Sequence, residues 1–311
     1  MRTQMKRIRG SANLIGLTLL AESAFSGVLC TPLLMLIGLL PLYGRTMAEL
    51  CDLAAYLLVF AVPFLLMAKV DGMSLRTMAG EGRPPRSAYL TAVFLALGLS
   101  TAGGYLGGFL ELFLNSSGVS EPVTPYVLPD SIPALLLHMI SIAVLPPLME
   151  ELCYRGFYFK VAERTAGTWP AIWITAVLFW LGHSSITILP LALGFGLMGG
   201  IFRKRYDSIL PSMVGHIAVN MTYIMMNAAE NVLPYPVYTL LAAAQVLVTL
   251  ALGVVGLIRL YTECGSWRGL LPSAEPAADA PIARAYLTSI PMLVTLAFSV
   301  YYIIQNLEFI A

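Results

Sequence analysis

Charge is what this sequence has least of. Lys, Arg, Asp and Glu make up 11% of its 311 residues against 58% apolar types, and mean hydropathy is +0.80. So little charge cannot shell one soluble core, which excludes an ordinary water-soluble domain and points to a polytopic membrane protein. The net charge of +1 supplies no global field, so no nucleic-acid partner is expected. Cysteine is also sparse: Cys30, Cys51, Cys153 and Cys264 form no CxxC pair, which argues against a disulfide framework or a thiolate zinc site and leaves them as core filler. There is no HExxH motif. No repeat stands out that would argue for a duplicated transporter fold.

Long apolar runs are what the chain has instead. The basic start MRTQMKRIRG leads into an apolar run too long for a signal-peptide core and without a clear small-residue cleavage site, so it reads as a retained anchor. A spanning helix needs roughly 20 apolar residues. Candidates fall near 13–42, 48–68, 88–114, 131–154, 169–188, 189–202, 209–228, 236–259 and 286–305. The expected architecture is therefore all-α, a helical bundle of eight or nine crossings forming one integral membrane domain over 1–311, its motif-bearing core about 131–228. The doubtful crossing is 189–202, short and rich in Gly194, Gly196, Gly199 and Gly200. With a cytoplasmic N-terminus the basic residues fall almost entirely on inner loops and only Arg45 is left outside, which supports nine crossings. The 116–130 loop reads as an outer loop and 262–284 as a polar inner linker.

Ionisable groups at membrane depth are costly and usually face a cavity or a partner. Glu150 and Glu151 sit at the expected inner end of the fourth span, after Pro146 and Pro147. Glu151 and Arg155 are four apart on one helix face, in the favourable order for an ion pair, while Glu150 is turned about 100° away. That leaves either a free carboxylate facing a water or a simple interfacial ion pair closing a helix. Phe179 and His183 stand four apart in the fifth span, and His216 and Asn220 four apart in the seventh, presenting an imidazole and a carboxamide to one point. His138 has no evident partner and is assigned a structural role.

The order EExxxR at Glu150 to Arg155, FxxxH at Phe179 to His183 and HxxxN at His216 to Asn220 resembles the CPBP family of intramembrane proteases, which includes CAAX-processing endopeptidases and relatives tied to bacteriocin processing and abortive infection. The match covers about 70 residues, 150 to 220. The resemblance implies an intramembrane polar cavity and a set of roles. Glu150 would act as general base with His183 on a water, Glu151 and Arg155 would hold that apparatus with Phe179 buttressing the imidazole, and His216 with Asn220 would stabilise the oxyanion. Cys153 is then a spectator. No cofactor is implied, with zinc on two histidines and a glutamate as the less favoured reading.

Measured along ideal helices at ~1.5 Å per residue, these groups do not reach one depth: Glu150 is shallow, while His216 lies about 16 Å beyond Arg205 and His183 about 21 Å beyond Trp169. The expectation is that the fifth helix starts well into the cytosolic zone and that the cavity opens to the cytoplasm. The function this implies is endopeptidase cleavage of a membrane-associated peptide or protein in a bacterial cell membrane. The competing classes are a non-catalytic bacteriocin self-immunity or scaffold protein, and a small-solute or proton transporter.

Overall fold

In hydrocarbon every backbone amide and carbonyl must find its partner within the protein, so apolar runs of this length can settle only as helices or a closed barrel. The computed structural model, which describes residues 1–39, 45–122, 129, 131–271 and 273–309, is a helical bundle. Among the described residues its long helices are α1 (Arg2–Ile37), α2 (Thr46–Val70), α3 (Arg86–Ser116), α4 (Ile132–Ala166), α5 (Thr168–Leu181), α6 (Leu189–Tyr206), α7 (Leu210–Val232), α8 (Tyr235–Cys264) and α9 (Ile290–Gln305). Five of them, α1 to α4 and α8, are long and apolar enough to cross a membrane; α5 and α9 are shorter apolar helices. The side chain of Arg45, expected as the lone outer cation, and residues 123–128 and 130 of the 116–130 loop lie outside what the structure describes.

Small residues set the closest approaches. Helix α3 packs on α6, α7 and α8, and it meets α8 where Gly98 and Gly253 lie backbone to backbone, with no room for a Cβ. Helices α5 and α6 form an antiparallel hairpin in which Gly196 and Gly200 seat against Ala176 and Ile172. Glycine-rich α6 is thus a full helix of 18 residues rather than the short 189–202 segment expected.

The connecting segments sort into two ends. At one end Arg164 makes two hydrogen bonds to Asp71, 2.6 and 2.7 Å, Lys204 pairs with Glu163 at 2.8 Å, the Glu81 amide donates to Asp207 at 3.2 Å, and the Thr168 amide donates to the Glu275 carbonyl at 3.1 Å. At the other, β1 (Val119–Ser120) pairs antiparallel with β2 (Glu308–Phe309), Thr187 donates to Glu121 at 3.0 Å, and Asn306 donates to the Ser184 carbonyl at 2.8 Å. The partition puts the basic connections together and the C-terminal strand beside the 116–120 segment.

Two corrections to the sequence reading bear on the site. The fourth helix does not end near residue 154 but runs on to Ala166, so Glu150 lies mid-helix, about 24 Å from that end by helical rise. Helix α5 begins directly after the Gly167 turn, and His183 lies about 22 Å along it by the same rise, so the two depths coincide. His183 itself is not inside the helix: α5 stops at Leu181, and His183 occupies the turn that follows, ahead of Ser184 in a left-handed conformation.

Candidate active site

Prolines shape the helix that carries the glutamates. Pro146 and Pro147 have no amide hydrogen, so the Ile142 carbonyl one turn earlier loses its helical donor. The chain is π-helical from Ile140 to Val144 and again from Glu151 to Tyr158, and such wide turns re-aim side chains where function needs them. Asn220 on α7 fills the vacant place, its side-chain amide donating to the Ile142 carbonyl at 2.9 Å. The proline break thus becomes the point at which α7 is fastened to α4.

The two adjacent carboxylates live in different surroundings. Glu151 is fully buried; its Oε1 lies 3.2 Å from Arg155 Nη1 and 3.4 Å from His216 Nδ1, and its Oε2 accepts a 2.7 Å hydrogen bond from Ser212. The first two contacts have ion-pair distance without hydrogen-bond alignment; the Arg155 guanidinium neutralises the carboxylate while Ser212 supplies the directional bond. Glu150 keeps 18% of its side chain exposed, accepts from Tyr56 at 3.3 Å and stands 3.8 Å from His216 Nε2. His216 therefore lies between the two glutamates, one ring nitrogen facing each.

Aromatic rings close the cluster from the other side. The Arg155 guanidinium stacks 4.3 Å over the Phe179 ring, with Phe195 at 5.6 Å, a cation–π arrangement that a desolvated arginine favours. Phe195 also packs on His216, ring centres 4.6 Å apart, and Phe179 packs on both His216 and His183 at 5.9 and 4.8 Å. His183 Nδ1 is 2.7 Å from the Phe179 carbonyl. A carbonyl can only accept, so Nδ1 carries a proton and Nε2 is the nitrogen not used by this bond.

The structure thus brings together Glu150, Glu151, Arg155, Phe179 and His216. His183 joins them through the Phe179 ring, and Asn220 through α4. Sequence reasoning missed Tyr56, Ser212, Phe195 and Gly199. Ser212 was legible, because it stands four residues before His216 on the stripe that ends at Asn220. Gly199 leaves space for Arg155: a Cβ there would lie 2.6 Å from its Nε. Tyr56 comes from a helix 94 residues away and carries no local signal. His138 does have a partner, buried Glu49, at 3.0 Å, and Ser141 donates to the other oxygen of that carboxylate at 3.2 Å. Among the described residues no group of three or more His, Cys, Asp or Glu is arranged to hold a metal ion.

Residues 132–222, the stretch that holds every motif above, match the family described as Rce1-like, type II CAAX prenyl endopeptidase. Over that stretch the chain is similar to the type II CAAX prenyl endopeptidases, in line with the resemblance its motifs carry. A second comparison finds an uncharacterised 24.3 kDa protein of Escherichia coli, 30% identical over 118 residues, an alignment covering 35% of this chain and 54% of the relative. The chain therefore spans about half the length of the curated relative that it matches. No solved structure matches this chain.

Proposed function

We propose that this protein is an intramembrane endopeptidase that hydrolyses a peptide bond of a membrane-associated peptide or protein with a water activated by Glu150. The observation that carries this reading is the asymmetry of the glutamate pair. Glu151 is buried and neutralised by Arg155, whereas Glu150 keeps an exposed face beside His216. A general base has to be accessible and oriented at once, and Tyr56 supplies the orientation.

In this reading Glu150 takes the proton from the water, while His183 acts with it by orienting that water through Nε2. The hydroxide adds to the amide carbon, and negative charge develops on the carbonyl oxygen. His216 and Asn220 meet that charge, Asn220 through the amide hydrogen not bonded to Ile142. Each preorganised donor contributes about 2.7–4 kcal/mol in a dry site. Protonated Glu150 then returns its proton to the departing amine. Protein groups supply every proton movement in this scheme, and zinc has no role in it. The same reading takes nine crossings, the N-terminus cytoplasmic, and a site reached from the cytoplasmic end; the gathering of basic connections at one end of the bundle supports that sidedness.

The test is cleavage of a peptide library with lipidated and unlipidated ends by purified protein in nanodiscs, wild type against Glu150→Gln, each with and without chelator. Cleavage that survives chelator and vanishes in the variant is expected. Cleavage abolished by chelator would replace the glutamate mechanism by a metal-dependent one. No cleavage by folded wild type would favour the immunity or scaffold role.

A further inference from the structure

A further buried carboxylate takes no part in the scheme above. Glu22 on α1 is only 8% exposed, and its one hydrogen-bonded oxygen accepts from Tyr158 at 3.1 Å. It lines a cavity of about 340 Å³ between α1, α2, α4, α5 and α9. The walls carry hydroxyl groups of Ser26, Ser299 and Tyr154 and the rings of Phe60, Phe298 and Tyr302. Among the described residues that line it there is no Lys, Arg or His. A carboxylate in such a place lacks the counter-charge that Arg155 gives Glu151, in a chamber open enough to admit one.

The chamber shares a wall with the active site. Tyr154, on the same π-helical turn as Glu151, packs edge-on against Phe179 at 5.2 Å, and Gly182 immediately precedes His183. Two of its aromatic lining residues, Phe298 and Tyr302, are about half exposed. A carboxylate, hydroxyl groups and aromatic rings lining one cavity are together the chemistry that recognises an organic cation.

We infer that this cavity binds a primary ammonium or guanidinium group, and that in catalysis the group is a Lys or Arg side chain of the substrate near the bond that is cut. The second clause rests on the protease reading; the first does not. A lysine suits the passage because its methylene stem can lie along Leu19, Val59 and Leu178 while the ammonium reaches Glu22.

The binding clause is tested without any cleavage. Wild-type protein in nanodiscs is treated with dicyclohexylcarbodiimide, and modification of Glu22 is followed by mass spectrometry in the presence of n-butylammonium chloride, n-butanol or sodium chloride at equal concentration. The expected result is that butylammonium slows modification of Glu22 at least fivefold relative to the other two. Equal rates in all three, or equal protection by butanol, would overturn the cation site. Ser299→Phe, which fills the chamber and leaves Glu22 in place, is expected to abolish the butylammonium protection; protection that persists in it would move the site out of this cavity.

The substrate clause is tested on peptides that wild type cleaves, with Lys exchanged for norleucine position by position. One position is expected to lose at least tenfold in kcat/KM, and Glu22→Gln is expected to erase that difference while still cutting the norleucine peptide. A preference for Lys that survives in Glu22→Gln, or no preference at any position, overturns the clause. Failure to cut any peptide counts against the protease reading, and the carbodiimide result then decides the cation site by itself.

Discussion

Two carboxylate–histidine clusters each take one partner from α4, and they differ in how much of their bonding capacity is used. At Glu49 both oxygens are engaged, one by His138 and one by Ser141, and both members of the pair are buried. At Glu150 one oxygen has a long contact to Tyr56, the other stands 3.8 Å from His216, and part of the side chain is exposed. A saturated cluster fastens helices together; an unsaturated one keeps valence for a water and a substrate. Both read alike in sequence, as acid and imidazole in apolar helices.

The sharpest way to break that contrast is to neutralise each acid in turn. Glu150→Gln is expected to lower kcat of peptide cleavage by about 10²–10⁴-fold, the usual contribution of a general base, with the thermal midpoint in nanodiscs unchanged. Glu49→Gln is expected to do the reverse, lowering the midpoint while the folded fraction cleaves at the wild-type rate. A Glu49→Gln variant that folds normally but does not cleave would join the two clusters into one machine.

Arg155→Met comes next. It leaves Glu151 as an uncompensated buried charge, a change of about 3–5 kcal/mol in buried pairs. Denaturant titration in mixed micelles should show that loss, and Gly199→Ala, which crowds Arg155, should show a smaller one of the same kind.

Ser212→Ala sharpens the comparison within the active cluster. It removes the one aligned hydrogen bond on Glu151, worth about 1–3 kcal/mol when a buried acceptor is left unpaired. Stability should fall by that order while the pH profile of cleavage keeps its shape, because Glu150 is untouched.

The smallest effect belongs to the basic end. Partial burial works to raise the Asp207 carboxyl, but the Arg203 hydrogen bond of 2.6 Å, the Glu81 amide and nearby Lys160 outweigh it and hold the group below the ordinary carboxylate range. A depressed folded value means that its stabilisation is present above the unfolded value of about 3.9 and is lost as pH falls through the folded one. Thermal midpoints measured from pH 6 down to pH 3 should therefore drop less steeply for Asp207→Asn than for wild type.

Much of the site was legible in advance because α-helical spacing is a local property. Glu151 with Arg155 and Phe179 with His183 follow from four-residue steps along one element, and the same step would have found Ser212. Tyr56, Glu49 and Phe195 were not legible, since each reaches its partner across the bundle and no spacing along one helix encodes it. The depth mismatch came from placing the end of α4 at its last apolar residue. The helix continues to Ala166 because its polar last turns are held by the basic end, where Lys204 pairs with Glu163.

By itself the sequence determined that this chain is a helical membrane protein carrying three motif pairs in a fixed order, because apolar length and i,i+4 spacing are decided residue by residue. Only the tertiary structure decided which glutamate is locked and which is left open. That choice depends on Ser212, His216 and Arg155 converging on Glu151 while Glu150 meets Tyr56 from another helix, and convergence between helices is a property of packing.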